Sequence, residues 1–259
     1  MTPVVAAVGT THPYAAAGLL LELTAIRALG AQPVAIVAGV SAQNADRVLA
    51  RAPIDPATIA AQFAALGDTP VGAFCVGALL DPASVRAVAE GLARYAGVPV
   101  ICDPVIAASG GDRLADDATI DALRARLFAR CTLLTPNLAE AALLTGRPIA
   151  DLGAMHAALP ALLALGSAAV LLKGGHLAGD ACDLFANGAH TRELRAARLP
   201  HDLRGTGSLL ACAIAVRCAF GDALTDAIDV ARAFVRERIV HGGTLSGMRI
   251  AFGGEGSST

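Results

Sequence analysis

The segment Arg204-Gly-Thr-Gly-Ser-Leu-Leu-Ala-Cys-Ala-Ile-Ala-Val216 places two unrestricted glycines, Gly205 and Gly207, directly before an apolar helical run. Thr206 or Ser208 can cap such a helix, so several N–H groups and the positive end of a helix dipole converge on one point, where an anion can be held. Taken alone, the same residues read equally as an ordinary Gly-Ser helix start, because short glycine motifs are weak evidence.

Four other segments carry chemistry-bearing side chains. Lys173-Gly-Gly-His176 ends an apolar strand, which sets a cation and a flexible backbone at the sheet edge; it also reads as a strand end with a solvated lysine. In Thr135-Pro-Asn-Leu-Ala-Glu140, Pro136 is expected in the first turn of a helix with Thr135 as its cap, so that Asn137 and Glu140 face the strand ends. A carboxylate there suits Mg²⁺ held through water, or serves as a plain partner of the helix dipole. Asp103, in Val100-Ile-Cys-Asp-Pro-Val105, closes a buried strand, where an Asp caps, binds metal or does chemistry. Gln43 and Asn44 end another strand with two side-chain amides, suited to the edge of a planar heterocycle or to a purely structural turn.

Short apolar runs alternating with longer amphipathic ones must position these loops, and that alternation predicts βα units around a mostly parallel sheet. Strands are expected at 4–8, 33–40, 71–76, 98–102, 131–134 and 169–173, and helices at 16–29, 56–66, 82–95, 116–129, 138–145 and 154–165. Asp183 to Ala186 and Thr191 to Ala196, joined through Asn187-Gly188, read as a hairpin, after which two helices complete the fold. With no linker, charge block or repeat, one domain over residues 1–252 is expected, followed by a frayed Gly/Ser-rich tail at 253–259. Each chemistry-bearing segment follows a strand, at the end where ligands gather on parallel sheets.

Composition narrows the function classes. The 259 residues carry 20 Lys+Arg against 22 Asp+Glu, a net charge of −2, which leaves no basic excess to displace phosphate counterions and argues against nucleic acid as a partner. Mean hydropathy is +0.59, yet the longest charge-free stretches, 1–21 and 152–172, are broken by Pro and Gly, so no membrane span is expected. The start, Met1-Thr-Pro-Val-Val, lacks the basic region and cleavage site of a secretory signal, and a cytoplasmic location is expected. Six scattered cysteines without a C-x-x-C pair are expected to be reduced core residues.

Taken together, Ala42-Gln43-Asn44, Asp103-Pro-Val with Ser109-Gly110, Thr135-Pro-Asn with Glu140, Lys173-Gly-Gly-His176 with Asp183, and Gly205-Thr-Gly resemble the hydroxymethylpyrimidine/phosphomethylpyrimidine kinases. These form the thiamine-biosynthesis branch of the ribokinase-like superfamily, and the resemblance runs from about residue 4 to about residue 240. It implies a nine- or ten-stranded, largely parallel sheet sandwiched by helices, usually as a homodimer, with ATP and Mg²⁺ at the strand ends; with the hairpin, the expected fold is a three-layer α/β/α sandwich with a small β-hairpin near the C-terminal third. By the same resemblance, Lys173, Thr206 and Asn137 touch ATP, Glu140 holds Mg²⁺ through water with Asp103 nearby, and Gly205 to Ser208 form the anion hole for the transferred phosphoryl. Gln43, Ala17, Gly18 and Val105 then line the pyrimidine site.

Departures cluster in the substrate half. Ser208 stands where the family has the Cys of Gly-Thr-Gly-Cys, and its hydroxyl is a poor base; Asp202 and His201, just upstream, are alternatives in reach, or plain loop residues. The first loop, usually Ser-Asp-Pro-Ser-Gly-Gly-Ala-Gly, is Thr11-His-Pro-Tyr-Ala-Ala-Ala-Gly18, and glycines that need positive φ could not be replaced freely. Cys75 replaces the Lys of Lys-Ile-Gly-Met, and Ala78 its Met. The expected activity is therefore ATP-dependent phosphorylation of hydroxymethylpyrimidine or its monophosphate. The rivals are a kinase for a related ring such as pyridoxal, or a non-catalytic ligand-binding member of the fold.

Overall fold

Alternate residues of the first strand are buried on opposite sides, Ala6 and Val8 in one core and Val5 and Ala7 in the other, as period-2 geometry requires of a sheet covered on both faces. The computed structural model describes residues 1–253 except 109, 176, 178 and 202, so Ser109, His176, Asp202 and the expected tail beyond Gly253 lie outside the described residues. Strands β1 (Val4–Thr11), β2 (Gln32–Gln43), β3 (Val48–Pro53), β4 (Val71–Val76), β5 (Val100–Cys102), β6 (Leu133–Leu134), β7 (Val170–Leu172), β8 (Ala181–Ala186) and β9 (Thr191–Ala196) form one nine-stranded sheet. Its order is β3-β2-β1-β4-β5-β6-β7-β8-β9, parallel from β2 through β7 and antiparallel at both edges.

Helices α1 (Gly18–Ala28), α7 (Thr206–Ala219) and α8 (Leu224–His241) cover one face. The other is covered by α2 (Pro56–Ala65), α3 (Pro82–Leu92), α4 (Asp117–Ala122), α5 (Leu138–Thr145) and α6 (Leu152–Leu163). The result is the expected three-layer α/β/α sandwich with a mostly parallel central sheet. Asp55, Asp81, Asp116 and Asp151 cap α2, α3, α4 and α6 by accepting a backbone N–H three residues on. A small antiparallel pair, β10 (Gly243–Leu245) and β11 (Met248–Ile250), ends the described chain.

Several expectations are corrected. The β1 and β2 strands run on to Thr11 and Gln43, because β3 extends the sheet and pairs with β2 from Gly39 to Gln43. β3 escapes hydropathy because it is an edge strand, exposed from Leu49 to Pro53. The expected hairpin forms, its strands joined by the loop 187–190, in which Asn187 Oδ1 accepts from His190 N at 2.9 Å, and both strands extend the main sheet. The helix expected over 116–129 is α-helical only to Ala122 and then continues as a π-helical turn, 123–127, and a 3₁₀ turn, 128–130. The six cysteines are free thiols and five are buried, with Cys75 against Cys212 and Cys102 against Cys131.

Candidate active site

Asp103 leaves the end of β5 and Lys173 the end of β7, and the fold brings Lys173 Nζ to 2.6 Å from Asp103 Oδ1. Their side chains are 14% and 4% exposed, so the pair is largely withdrawn from water. Burial by itself lowers the Lys173 pKa, but Asp103 and Glu140 outweigh it and hold it above the usual lysine value. Thr135 Oγ1 donates to the same Asp103 oxygen at 3.4 Å. Gly174, the next residue, has to be glycine: a Cβ there would sit 2.1 Å from the Cys182 carbonyl oxygen. Its N–H donates to Asp183 Oδ1 at 3.1 Å, and Asp183 in turn accepts from Arg232 Nε at 2.9 Å.

Against this ion pair comes the start of α7. Gly205 takes φ +74°, where a Cβ would meet the Ala16 carbonyl oxygen at 2.3 Å, and so ties the first loop to the helix start. Among the described residues no side chain caps the helix, and the N–H groups of Thr206, Gly207 and Ser208 have no acceptor within it. Gly207 passes so close that a Cβ would lie 2.8 Å from Lys173 Nζ and 3.1 Å from Asp103 Oδ2. Ser208 Oγ donates to Asp103 Oδ2 at 3.4 Å. A cation, a carboxylate and an open helix N-terminus thus converge, which is what a transferring phosphoryl group requires.

The helix after β6 corrects one expectation. Its cap is Asn137, not Thr135, and Pro136 precedes the helix: Asn137 Oδ1 accepts from Glu140 N at 2.9 Å while Asn137 N donates to Glu140 Oε2 at 2.8 Å. Asn137-x-x-Glu140 was the signal for this capping box. Burial pushes the Glu140 carboxyl up to about 7 against the pull of Lys173, and Asp103 adds to the rise.

The heterocycle half is assembled from β1, β2 and the first loop. Gln43 Nε2 donates to Ser41 Oγ at 2.8 Å, and Ser41 Oγ to the Thr11 carbonyl at 2.8 Å, which fixes the amide at the end of β2. Ala17 precedes α1 in extended conformation, and Gly18 takes φ +59° where a Cβ would strike the Thr10 carbonyl oxygen at 2.4 Å, so only glycine fits there. Ala15 and Ala16 occupy no positive-φ position, so the methyl groups that replace the family glycines are accommodated without backbone strain. Val105 is half-buried two residues beyond Asp103, its N–H bonded to the Asp103 carbonyl at 2.8 Å. His12 is buried with Nε2 unpartnered, and burial lowers its pKa; His201 is exposed.

Two residues beneath the site were not legible as site residues. Glu22 of α1 is 1% exposed with Oε2 unpartnered, and burial, then Asp103, push its carboxyl up to about 8. Its Oε1 lies 3.1 Å from where a Gly77 Cβ would be. Arg204 bonds the carbonyls of Asn44 and Ala45.

The chain matches the profile of the phosphomethylpyrimidine kinase family over residues 13–250. It belongs to that family. A hydroxymethylpyrimidine/phosphomethylpyrimidine kinase of Rhizobium meliloti is 35% identical over 243 residues, covering 92% of this chain and 91% of that protein. A thiamine biosynthesis bifunctional protein of Geobacter sulfurreducens is 37% identical over 226 residues, which are 86% of this chain but 46% of that protein, so the chain spans about half its length. The crystal structure of a phosphomethylpyrimidine kinase from Clostridium difficile superposes with a TM-score of 0.81 at 26% identity, covering 92% of this chain and all of that one. Membership in this family makes the chain a kinase of the ribokinase-like fold. Among the described residues no helix is long and apolar enough to cross a membrane.

Proposed function

We propose that this chain transfers the γ-phosphoryl group of ATP to 4-amino-5-hydroxymethyl-2-methylpyrimidine, to its monophosphate, or to both, as a step of thiamine biosynthesis. The observation that carries the reading is the Lys173–Asp103 pair seated against Gly207 at the open start of α7. Phosphoryl transfer runs through a loose transition state in which positioning and charge neutralisation supply most of the catalysis. Lys173 faces the ATP phosphates, with Thr206 and Asn137 beside it, and the N–H groups of Thr206, Gly207 and Ser208 receive the charge that spreads over the transferred oxygens. Gly205 and Gly207 let that backbone approach, and Ser208 Oγ serves as a hydrogen-bond donor. Gln43, Ala17, Gly18 and Val105 hold the ring.

Magnesium fits the residues present. Two buried carboxylates, Glu140 and Asp103, face the single ammonium of Lys173, so a further cation beside them would offset a buried negative charge. Among the described residues no group of three or more His, Cys, Asp or Glu is placed to hold a metal ion, so a bound Mg²⁺ would have to take most of its ligands from water and phosphate. Glu140, with Asp103 nearby, would hold it, and it would screen the phosphate charges.

The same reading takes residues 1–252 as one domain of a cytoplasmic protein that forms a homodimer; light scattering of the purified chain tests the dimer. The activity test is ADP release with Mg²⁺-ATP and hydroxymethylpyrimidine, its monophosphate, pyridoxal or pyridoxine, with phosphorus spectra of the products. Turnover on the pyrimidines is expected. Turnover on the pyridine rings alone would transfer the assignment to that ring, and silence on all four from protein that binds ATP would make the chain a ligand-binding member of the fold.

A further inference from the structure

Arg204 immediately precedes Gly205-Thr-Gly, yet its guanidinium turns away from the helix start toward the chain that follows Gln43. Nη1 donates to the Asn44 carbonyl at 3.0 Å and contacts Met248 Sδ at 3.7 Å, while Nη2 donates to the Ala45 carbonyl. Arg204 N bonds the Arg249 carbonyl at 3.2 Å, so the residue is held from β11 as well. The turn it grips is itself ordered, with Asn44 Oδ1 accepting from Asp46 N and Arg47 N, both at 2.9 Å. Ala45 packs on a small apolar cluster of Ala16, Met248 and Ile250, which joins the first loop, this turn and the C-terminal hairpin. Opposite, Val48 N donates to Asp112 Oδ2 at 2.6 Å, and a Cβ on Gly110 would lie 3.0 Å from the Asp46 carbonyl oxygen.

The guanidinium is thus the one side chain, among the described residues, that hydrogen-bonds the 44–45 carbonyls from the segment leading into α7. Two charge-assisted donors from a planar fork fix both distance and orientation, which a single lysine amine cannot do.

We propose that Arg204 is a positioning residue that locks the turn after Gln43 to the phosphoryl-transfer helix, and so sets the heterocycle's place relative to the anion hole. The proposal rests on the reading of Gln43 as a heterocycle contact and of α7 as the transfer site. Arg204 acts through the backbone of Asn44 and Ala45, and touches neither ATP nor the reacting hydroxyl.

Two readouts test it, one independent of activity. Arg47 lies exposed in the gripped turn, and brief trypsin treatment followed by mass spectrometry reports cleavage after it. In Arg204→Gln, cleavage after Arg47 is expected to rise about tenfold or more over wild type, as loss of two charge-assisted hydrogen bonds implies, while cleavage elsewhere stays unchanged. In kinetics of the intact enzyme, the same variant is expected to raise KM for the pyrimidine by roughly tenfold or more, with KM for ATP within about twofold. Arg204→Lys should recover part of both effects. Unchanged cleavage after Arg47, or a uniform rise at every site with a lowered melting temperature, would overturn the proposal, as would equal changes in both KM values. Should the chain turn over no pyrimidine, the functional reading fails, and the cleavage pattern alone still decides the lock.

Discussion

Lys173 Nζ stands 2.6 Å from Asp103 Oδ1, and the two arrive there from strands separated by β6, 70 residues apart in the chain. Asp103 is thus one of the groups that hold the Lys173 charge against burial. Lys173→Met should leave Asp103 buried without a cation and lower stability by roughly 3–5 kcal/mol, and Lys173→Met/Asp103→Asn should recover much of that loss without recovering activity. Turnover of either variant should fall by about 10²–10³ or more. Calorimetry should show ATP affinity weakened far more than heterocycle affinity; equal losses would contradict a phosphate-facing lysine.

The close approach of α7 makes Gly207 sensitive to one methyl group. In Gly207→Ala the new Cβ would stand 2.8 Å from Lys173 Nζ, and the ion pair or the helix start must shift. Turnover should drop by about 10² for such a displacement, while the melting temperature changes little, because alanine is the better helix former by roughly 1 kcal/mol. Wild-type turnover would show that the helix does not need this approach.

Ser208 makes only a long bond to Asp103, 3.4 Å, and its hydroxyl is a poor base. Ser208→Ala should therefore lower turnover by less than about tenfold, the effect of one weak hydrogen bond. If the missing thiol limits the chemical step, Ser208→Cys should raise turnover at saturating substrate, most at alkaline pH where the thiolate fraction grows. A Cys variant no faster than wild type at any pH would remove Ser208 as the bottleneck.

Glu22 carries a pH signature. Its carboxyl, raised from 4.5 to about 8, stays protonated in the fold where the unfolded chain would ionise it. The native state binds the extra proton between those values, so stability falls as pH rises from about 4.5 through about 8 and then levels. Glu140, raised to about 7, contributes in the same sense. Glu22→Gln should abolish its share and stabilise the protein at alkaline pH by on the order of a few kcal/mol. Urea midpoints across that range check it; a variant with the wild-type slope would show that Glu22 is ionised in the fold.

The alternation of short apolar runs and amphipathic stretches was enough to predict the parallel sheet and its two helical layers, since hydrophobic period is a local property of Val4 to Val8 or Val71 to Val76. Motif order likewise marked Asp103, Glu140 and Lys173, because each follows a parallel strand and those strands end on one side, and Gly205 to Ser208 was marked by two glycines before an apolar helix. β3 left no such trace, its side chains facing solvent, and β10–β11 was signalled only by Ser246-Gly247, which takes positive φ at both residues. The partners of Asp103 and Lys173, the unpartnered acid of Glu22 beneath Gly77, and the grip of Arg204 on a turn 160 residues away were decided by tertiary structure alone. Each is a contact between distant segments, and its energy comes from burial and charge that no residue has until the sheet has assembled around it.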